Sequence, residues 1–371
     1  MSRKPIRVLV IDDSPLVREL IVDSLTAQRD VEIVGTACNG DEGLRLLGEL
    51  QPDVVTLDLQ MPGKDGLATL DDILARRPTP VIVVSALTQR AAESAVQALQ
   101  RGAMDYVAKP EGLAAMRQSF GEELPMKIRN MAGVDVSHVL QMRKVRAERR
   151  QAPIVRLDDG VLARFATGCV AIGVSTGGPP ALARLFAALA PPLPPIVVVQ
   201  HMPEMFTGPF AARLNALSSL TVKEAEEGDL LKPNNVYVAP GGKQLAVRRR
   251  AESGAIEIRD GDFVSGHKPS VDVMMSSVAA VYGNRSVGVI MTGMGRDGAD
   301  GCAAIRTAGG FVLGQDEATS DVYGMNKVAF TEGAVDLQTP LDHLAEAIVV
   351  RVGQLPGKRK SVTPLVPIVA R

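Results

Sequence analysis

From residue 6 onward, short runs of almost unbroken apolar residues alternate with longer amphipathic stretches. The runs IRVLVID, VEIVGTA, PDVVTLDL, TPVIVVSAL and DYVAK are separated by PLVRELIVDSLTAQ, GDEGLRLLGEL, DGLATLDDILARR and RAAESAVQALQRG. Strands that are apolar at every position are buried on both faces, and the helices between them are what cover those faces. The pattern predicts an α/β domain over residues 1–125, built on a five-stranded, doubly wound, flavodoxin-like parallel sheet.

Periodicity fades between residues 126 and 160, where QMRKVRAERRQAP gathers positive charge. This predicts a basic linker, partly helical and solvated, with a nucleic-acid arm as the alternative. Apolar runs then resume as GCVAIGVS, PPIVVVQHM, NNVYVAPG, QLAVRRR, AIEIRDG, RSVGVIMTG and GGFVLGQ. The helical stretches PALARLFAALA, FTGPFAARLNALS, SVDVMMSSVAAVYG and DGADGCAAIRTAG lie among them. A second doubly wound, mainly parallel α/β domain is expected over residues 161–352. The basic, proline-containing tail from 353 to 371 has no periodic pattern and is expected to be flexible.

Composition narrows the partners. The 371 residues are 46% hydrophobic and carry a formal net charge of -1. That balance does not favour nucleic acid or membrane, because binding to a phosphate backbone calls for a basic excess. Cys38, Cys169 and Cys302 are widely spaced in apolar or helical context, so they are expected to be buried small residues in a reducing compartment, with no disulfide framework or zinc site. No secretory signal is visible and no run approaches about 18 apolar residues, so a cytoplasmic location without membrane insertion is expected.

Chemistry gathers at the strand ends. In the first domain, strand one ends in Asp12 and Asp13, strand three in Asp58 and strand four in Ser85, while Lys109 and Pro110 follow strand five. The carboxyl ends of the strands in such a sheet converge on one crevice. Carboxylates crowded there repel unless a cation joins them, and ligation by oxygen alone suits Mg²⁺. Asp12 and Asp13 also read as residues that only help start a helix, with Ser14 as its cap and Pro15 at its first position. The set as a whole resembles the receiver domain of bacterial two-component response regulators. That resemblance implies that Asp58 accepts a phosphoryl group from a histidine kinase and that Asp12, Asp13, Asp58 and the Gln60 carbonyl hold Mg²⁺. It also implies that Ser85 and Lys109 bind the phosphoryl oxygens, and it puts Tyr106 where a switch aromatic is often kept, although a half-buried ring on the last strand explains Tyr106 as well.

In the second domain, Gly173-Val174-Ser175-Thr176-Gly177 matches G-x-S-x-G between a strand and a helix, which presents a hydroxyl on a tight turn. Such a serine needs a base, and the base needs a carboxylate to hold its tautomer. Of the four histidines, His138 falls in the linker and His267 in the loop SGHKPS. His201 ends the strand PPIVVVQ on the same rim as Ser175, and the strand VGVIMTG leads to Asp297. The order Ser, His, Asp differs from that of α/β-hydrolases, where His343 would be the base, so the residues leave His201 and His343 to be distinguished.

GVSTGGP, QHMPEMFT, VYVAPGG, HKPSVDVMMSS and MTGMGRDGADG together resemble the catalytic domain of the CheB family of chemotaxis receptor methylesterases. The resemblance spans essentially the whole second domain, and a receiver joined to it is that family's architecture. It implies a protein-glutamate methylesterase and protein-glutamine glutaminase acting on methyl-accepting chemotaxis receptors, with a chemotaxis histidine kinase as phosphodonor. By it Ser175 is the nucleophile, His201 the general base and acid, and Asp297 the orienting carboxylate. Thr176 and the Met294 amide assist at the oxyanion, and the hydrolysis needs no cofactor. Gly177 and Gly178 then read as room for substrate and helix start beside Ser175, with Glu204, Met205 and Arg296 bordering the site. The competing readings are a DNA-binding response regulator, a general esterase using His343, and an adaptor without catalysis.

Overall fold

The computed structural model describes residues 4–62, 65–137, 139–141, 168–250 and 253–356. Residues 142–160 of the expected basic linker, the start of the expected second domain at 161–167, the tail beyond 356 and His138 lie outside the described residues.

The first unit is a five-stranded parallel sheet ordered β2-β1-β3-β4-β5. Its strands are β1 (Ile6–Ile11), β2 (Val31–Ala37), β3 (Val54–Asp58), β4 (Val81–Ala86) and β5 (Asp105–Lys109). The helices are α1 (Pro15–Thr26), α2 (Gly40–Leu50), α3 (Gly66–Arg76), α4 (Gln89–Arg101) and α5 (Leu113–Met131). Val8, Val10 and Val54 face one core with Ile21, Leu25 and Phe120, while Leu9, Ile11 and Val55 face the other with Leu47, Leu70 and Ile73. This two-sided burial is what unbroken apolar strands require. The chain switches sheet direction between β1 and β3, so Asp12, Asp13 and Asp58 share the crevice at that point. Helix α5 runs through Pro125, past the expected end of the domain at residue 125. Cys38 is exposed, contrary to expectation, whereas Cys169 and Cys302 are buried.

The second unit holds a seven-stranded parallel sheet ordered β14-β13-β12-β6-β7-β9-β8. At its centre lie β12 (Ser286–Ile290), β6 (Cys169–Val174) and β7 (Ile196–Gln200), with β9 (Asn235–Val238) and β13 (Phe311–Gln315) outside them. Helices α6 (Gly178–Ala188), α7 (Glu204–Leu217), α8 (Val271–Tyr282) and α9 (Ala299–Thr307) occupy the expected positions. Four elements exceed the expectation: the strands β8 (Thr221–Glu224) and β14 (Leu337–Thr339) and the helices α10 (Met325–Thr331) and α11 (Leu341–Gly353). The strands are short, polar edge pieces, and neither helix has a side chain capping its start. QLAVRRR and AIEIRDG do not join the main sheet. They pair antiparallel as β10 (Gln244–Arg250) and β11 (Ser253–Arg259).

The two units share one buried apolar cluster. Val96 and Leu99 of α4 and Tyr106 of β5 belong to the same cluster as Ala181 of α6 and Phe206 and Phe210 of α7. The Tyr106 and Phe206 rings stack with centroids 5.0 Å apart.

Candidate functional site

In the first crevice, one carboxylate oxygen from each of Asp12, Asp13 and Asp58 lies within 4.8 Å of the others. Lys109 Nζ stands 2.6 Å from Asp12 Oδ2 and 2.7 Å from Asp58 Oδ2. Burial, and further the charge of Asp58, push the Asp12 carboxyl above its usual pKa against the pull of Lys109. One lysine among three acids leaves the crevice short of positive charge, and clustered carboxylate oxygens are the donor set that Mg²⁺ takes. Ser14 caps α1 by accepting from the Val17 amide, and Asp12 Oδ1 in turn accepts from the Ser14 amide at 3.0 Å, so Asp12 serves both the helix start and the crevice. The Gln60 amide donates to Asp58 Oδ1 at 3.0 Å. Ser85 follows Val84, the register partner of Asp58, but its hydroxyl donates to the Ala91 carbonyl at 3.3 Å.

In the second crevice, adjacent strands β12, β6 and β7 lead into Asp297, Ser175 and His201. The chain leaves β6 for β7 on one side and returns as β12 on the other, the switch point at which such sheets open a cleft. His201 Nε2 lies 2.8 Å from Asp297 Oδ2, and both side chains are buried. His201 Nδ1 is buried and without a hydrogen-bond partner among the described residues. Ser175 is half-buried on a turn fixed by backbone bonds: its amide donates to the Thr292 carbonyl at 3.0 Å, and its carbonyl accepts from the Gly178 amide at 2.8 Å. His343 is not part of the site. It is exposed on α11, 3.6 Å from Glu346.

The glycines after Ser175 have a different reason from the one expected. Gly177 has φ +76°, which favours glycine, and a Cβ there would meet Asp321 at 2.7 Å. A Cβ at Gly178 would lie 2.0 Å from Gln200 Oε1. The space beside them is filled by protein, and Gln200 in turn donates to the Ser175 and His201 carbonyls at 3.0 and 3.1 Å. Gly293 is the glycine that gives way to Ser175, since a Cβ there would meet the Ser175 Cβ at 2.8 Å. Met294 follows it, half-buried beside the Ser175 turn. Glu204 and Met205 are exposed at the start of α7, and Arg296 is held by Asp300 and Glu332 at 2.7 and 2.9 Å.

Four residues to which the sequence reading gave no role, Asp105, Lys127, His267 and Asp272, stand at the site. Asp105 of β5 accepts from Thr176 Oγ1 at 2.6 Å, tying the residue after the serine to the first unit. Next to it, Tyr106 OH donates to the His201 carbonyl at 3.3 Å. Half-buried Lys127 holds the other Asp105 oxygen at 3.0 Å and Glu123 at 2.8 Å. Burial would lower the Lys127 pKa, but these two carboxylates outweigh it and hold it above its usual value. His267 stacks on His201 with centroids 3.6 Å apart and planes 8° off parallel. Asp272 adjoins Asp297.

Burial, and then the charge of His201, lower the pKa of His267 to about 3. The unfolded ring takes up a proton below about pH 6.5 and the folded ring does not until about pH 3. Its stability contribution is therefore complete above that upper limit and lost as pH falls through the window. Asp272, raised to about 6 chiefly by burial, has the opposite sign: its contribution is present at low pH and lost as pH rises from 3.8 to 6. The two slopes oppose each other between pH 4 and 6. His267→Gln removes one, so the variant should gain up to about 1.4 kcal/mol over wild type per unit of pH lowered in that range. Urea unfolding of both proteins at pH 6 and pH 4 checks this, and an unchanged difference would refute a buried neutral His267.

Comparison with known proteins matches two family models: the response regulator receiver domain over residues 8–120 and the CheB methylesterase over residues 170–348. A protein-glutamate methylesterase/protein-glutamine glutaminase of Anaeromyxobacter dehalogenans is 44% identical over 96% of this chain and 98% of its own. One from Pyrococcus horikoshii, with the same description, is 41% identical over 96% of each chain. The crystal structure of the Thermotoga maritima CheB methylesterase catalytic domain shares 39% identity, covering 49% of this chain and 97% of its own, with a TM-score of 0.48.

Proposed function

Since the chain belongs to the CheB methylesterase family and carries a response regulator receiver ahead of that domain, we propose that it is a phosphorylation-regulated protein-glutamate methylesterase and protein-glutamine glutaminase. Its substrates are glutamyl methyl esters and glutamines on methyl-accepting chemotaxis receptors, and its phosphodonor is a chemotaxis histidine kinase. No helix among the described residues is long and apolar enough to cross a membrane.

The observation that carries the chemistry is the buried His201 to Asp297 contact beside Ser175. Ser175 attacks the ester carbonyl as His201 takes its proton through Nδ1, and Asp297 steadies the ring and the charge it gains. The tetrahedral oxyanion is met by backbone amides around Met294 and the start of α6, whose helix dipole also favours negative charge there. His201 returns the proton to methanol as it leaves. Water, activated by the same ring, then releases the glutamate. A glutamine side chain follows the same course with ammonia as the leaving group.

In the receiver, Asp58 is the phosphoryl acceptor. Asp12, Asp13, Asp58 and the Gln60 carbonyl would hold Mg²⁺, which when bound offsets the negative charge of the phosphoryl oxygens. Lys109 supplies a second positive charge to those oxygens, and Ser85 can turn its hydroxyl from Ala91 to them. The unphosphorylated receiver restrains the enzyme by covering it, through Asp105 on Thr176 and Tyr106 on His201.

The test is methanol release from methylated receptor membranes, for wild type and Asp58→Ala, with and without a small phosphodonor and Mg²⁺. Wild type should release methanol faster with the phosphodonor, and Asp58→Ala should lose that stimulation. No methanol from any receptor would overturn the esterase reading.

A further inference from the structure

Helices α8 and α9 begin side by side, and each is capped by a carboxylate that belongs to the other's neighbourhood. Asp297, just ahead of α9, sits under the start of α8. Its Oδ1 accepts from Ser270 Oγ at 2.7 Å and the Asp272 amide at 3.1 Å, and its Oδ2 accepts from the Val271 amide at 2.7 Å besides His201. Asp272, in the first turn of α8, sits at the start of α9. Its Oδ1 accepts from the Gly298 and Gly301 amides at 2.9 and 2.8 Å, and its Oδ2 from Ser265 Oγ at 3.1 Å. Each carboxylate thus satisfies amides that the other helix leaves without an internal partner.

Asp297 lies on a loop between Gly295 and Gly298, whose φ of +87° and +96° are turn conformations that favour glycine. The amide immediately after Asp297 is one of the two that Asp272 binds. We propose that Asp272 is a positioning residue for hydrolysis: it clamps the loop that carries Asp297 and so sets the orientation of the His201 ring toward Ser175. This rests on the reading of Asp297 as the acid of the triad.

The charge setting is consistent with that role. Burial, and further the adjacent Asp297 carboxylate, hold the Asp272 carboxyl above its usual range. Burial acts on Asp297 in the same direction, but the hydrogen bond and charge of His201, with Ser270 and Val271, outweigh it and keep Asp297 well below the usual range. Other titratable groups around the pair include His267 stacked on His201, Lys127 beyond it, the buried Cys302 thiol of α9, and Asp300, which is paired with Arg296.

Full-length Asp272→Ala, Asp272→Asn and Ser175→Ala are compared with wild type, all with phosphodonor and Mg²⁺, for kcat, KM and the thermal melt. Misplacing a catalytic group by a fraction of an ångström to an ångström costs about 10- to 100-fold. Asp272→Ala should therefore lose kcat by about that factor with KM within about threefold. Asp272→Asn keeps an oxygen that can accept from both amides, and should recover at least about fivefold of the loss. A role confined to folding would lower the melting temperature and leave the kcat of folded enzyme unchanged, and that result overturns the proposal. Should the alanine variant not fold, Asp272→Glu, which moves the accepting oxygens outward by one methylene, carries the test with the same expected loss in kcat. Ser175→Ala separates the failures: if it is inactive while Asp272→Ala keeps wild-type kcat, only this inference falls, whereas an active Ser175→Ala removes the reading it rests on.

Discussion

Ser175→Ala is expected to lower methanol release at least about 10⁴-fold, and His201→Ala by a similar factor, whereas His343→Ala should match wild type. The size follows from how such residues act. A nucleophile and its base work as one unit, and removing either costs nearly as much as removing both, with a residue of catalysis left from oxyanion donors and binding. The double variant should then be no worse than either single one by more than a few-fold. Ser175 makes no side-chain hydrogen bond among the described residues, and the ring nitrogen left to serve it, His201 Nδ1, has no partner. That arrangement suits a resting enzyme whose catalytic hydrogen bond forms with substrate. His343 is the internal control because it is exposed on α11, away from Ser175 and 3.6 Å from Glu346. Loss of activity with His343→Ala, and retention with His201→Ala, would reassign the base and with it the whole site.

The reach of the sequence reading follows from where each residue lies. Asp12, Asp58, Ser175, His201 and Asp297 all end or follow apolar runs, and a parallel sheet brings such positions together whatever their distance along the chain. Strand periodicity put them on the two rims, while the choice of His201 over His343 came from the family resemblance. Asp272 and His267 lie in a helix start and a loop, where nothing local says which neighbour they face. Asp272 does follow Ser270 at a helix start, SVDVM, so a capping carboxylate was visible there; its partner across α9 was not. The glycines at 177 and 178 were visible too, but only packing shows that they yield to Asp321 and Gln200. Strands β8 and β14 went unseen because four and three residues of mixed polarity carry no period to read.

Asp105 was hidden for a further reason: its partner is in the other unit, and no pattern within one domain encodes a contact between two. That contact has the second largest expected effect. The Asp105 carboxylate accepts from the Thr176 hydroxyl at 2.6 Å, next to the nucleophile, while Lys127 holds its other oxygen. A buried hydrogen bond to a charged group contributes about 1.5 to 3 kcal/mol, which corresponds to a shift of about 10- to 150-fold in an equilibrium between covered and uncovered enzyme. Asp105→Ala should raise methanol release without phosphodonor by up to that factor and leave the phosphodonor-stimulated rate near that of wild type. Lys127 keeps Glu123 at 2.8 Å, so the variant does not strand a buried charge. Tyr106→Phe, which removes the bond to the His201 carbonyl but keeps the ring against Phe206, should act in the same direction and more weakly, since a neutral bond contributes about 0.5 to 1.5 kcal/mol. Basal rates that stay at the wild-type level in both variants would mean that the Asp105 and Tyr106 contacts hold the two units together without restraining the enzyme. Regulation would then have to act through the apolar seam of α4 on α6 and α7, where Val96 and Leu99 meet Ala181 and Phe210.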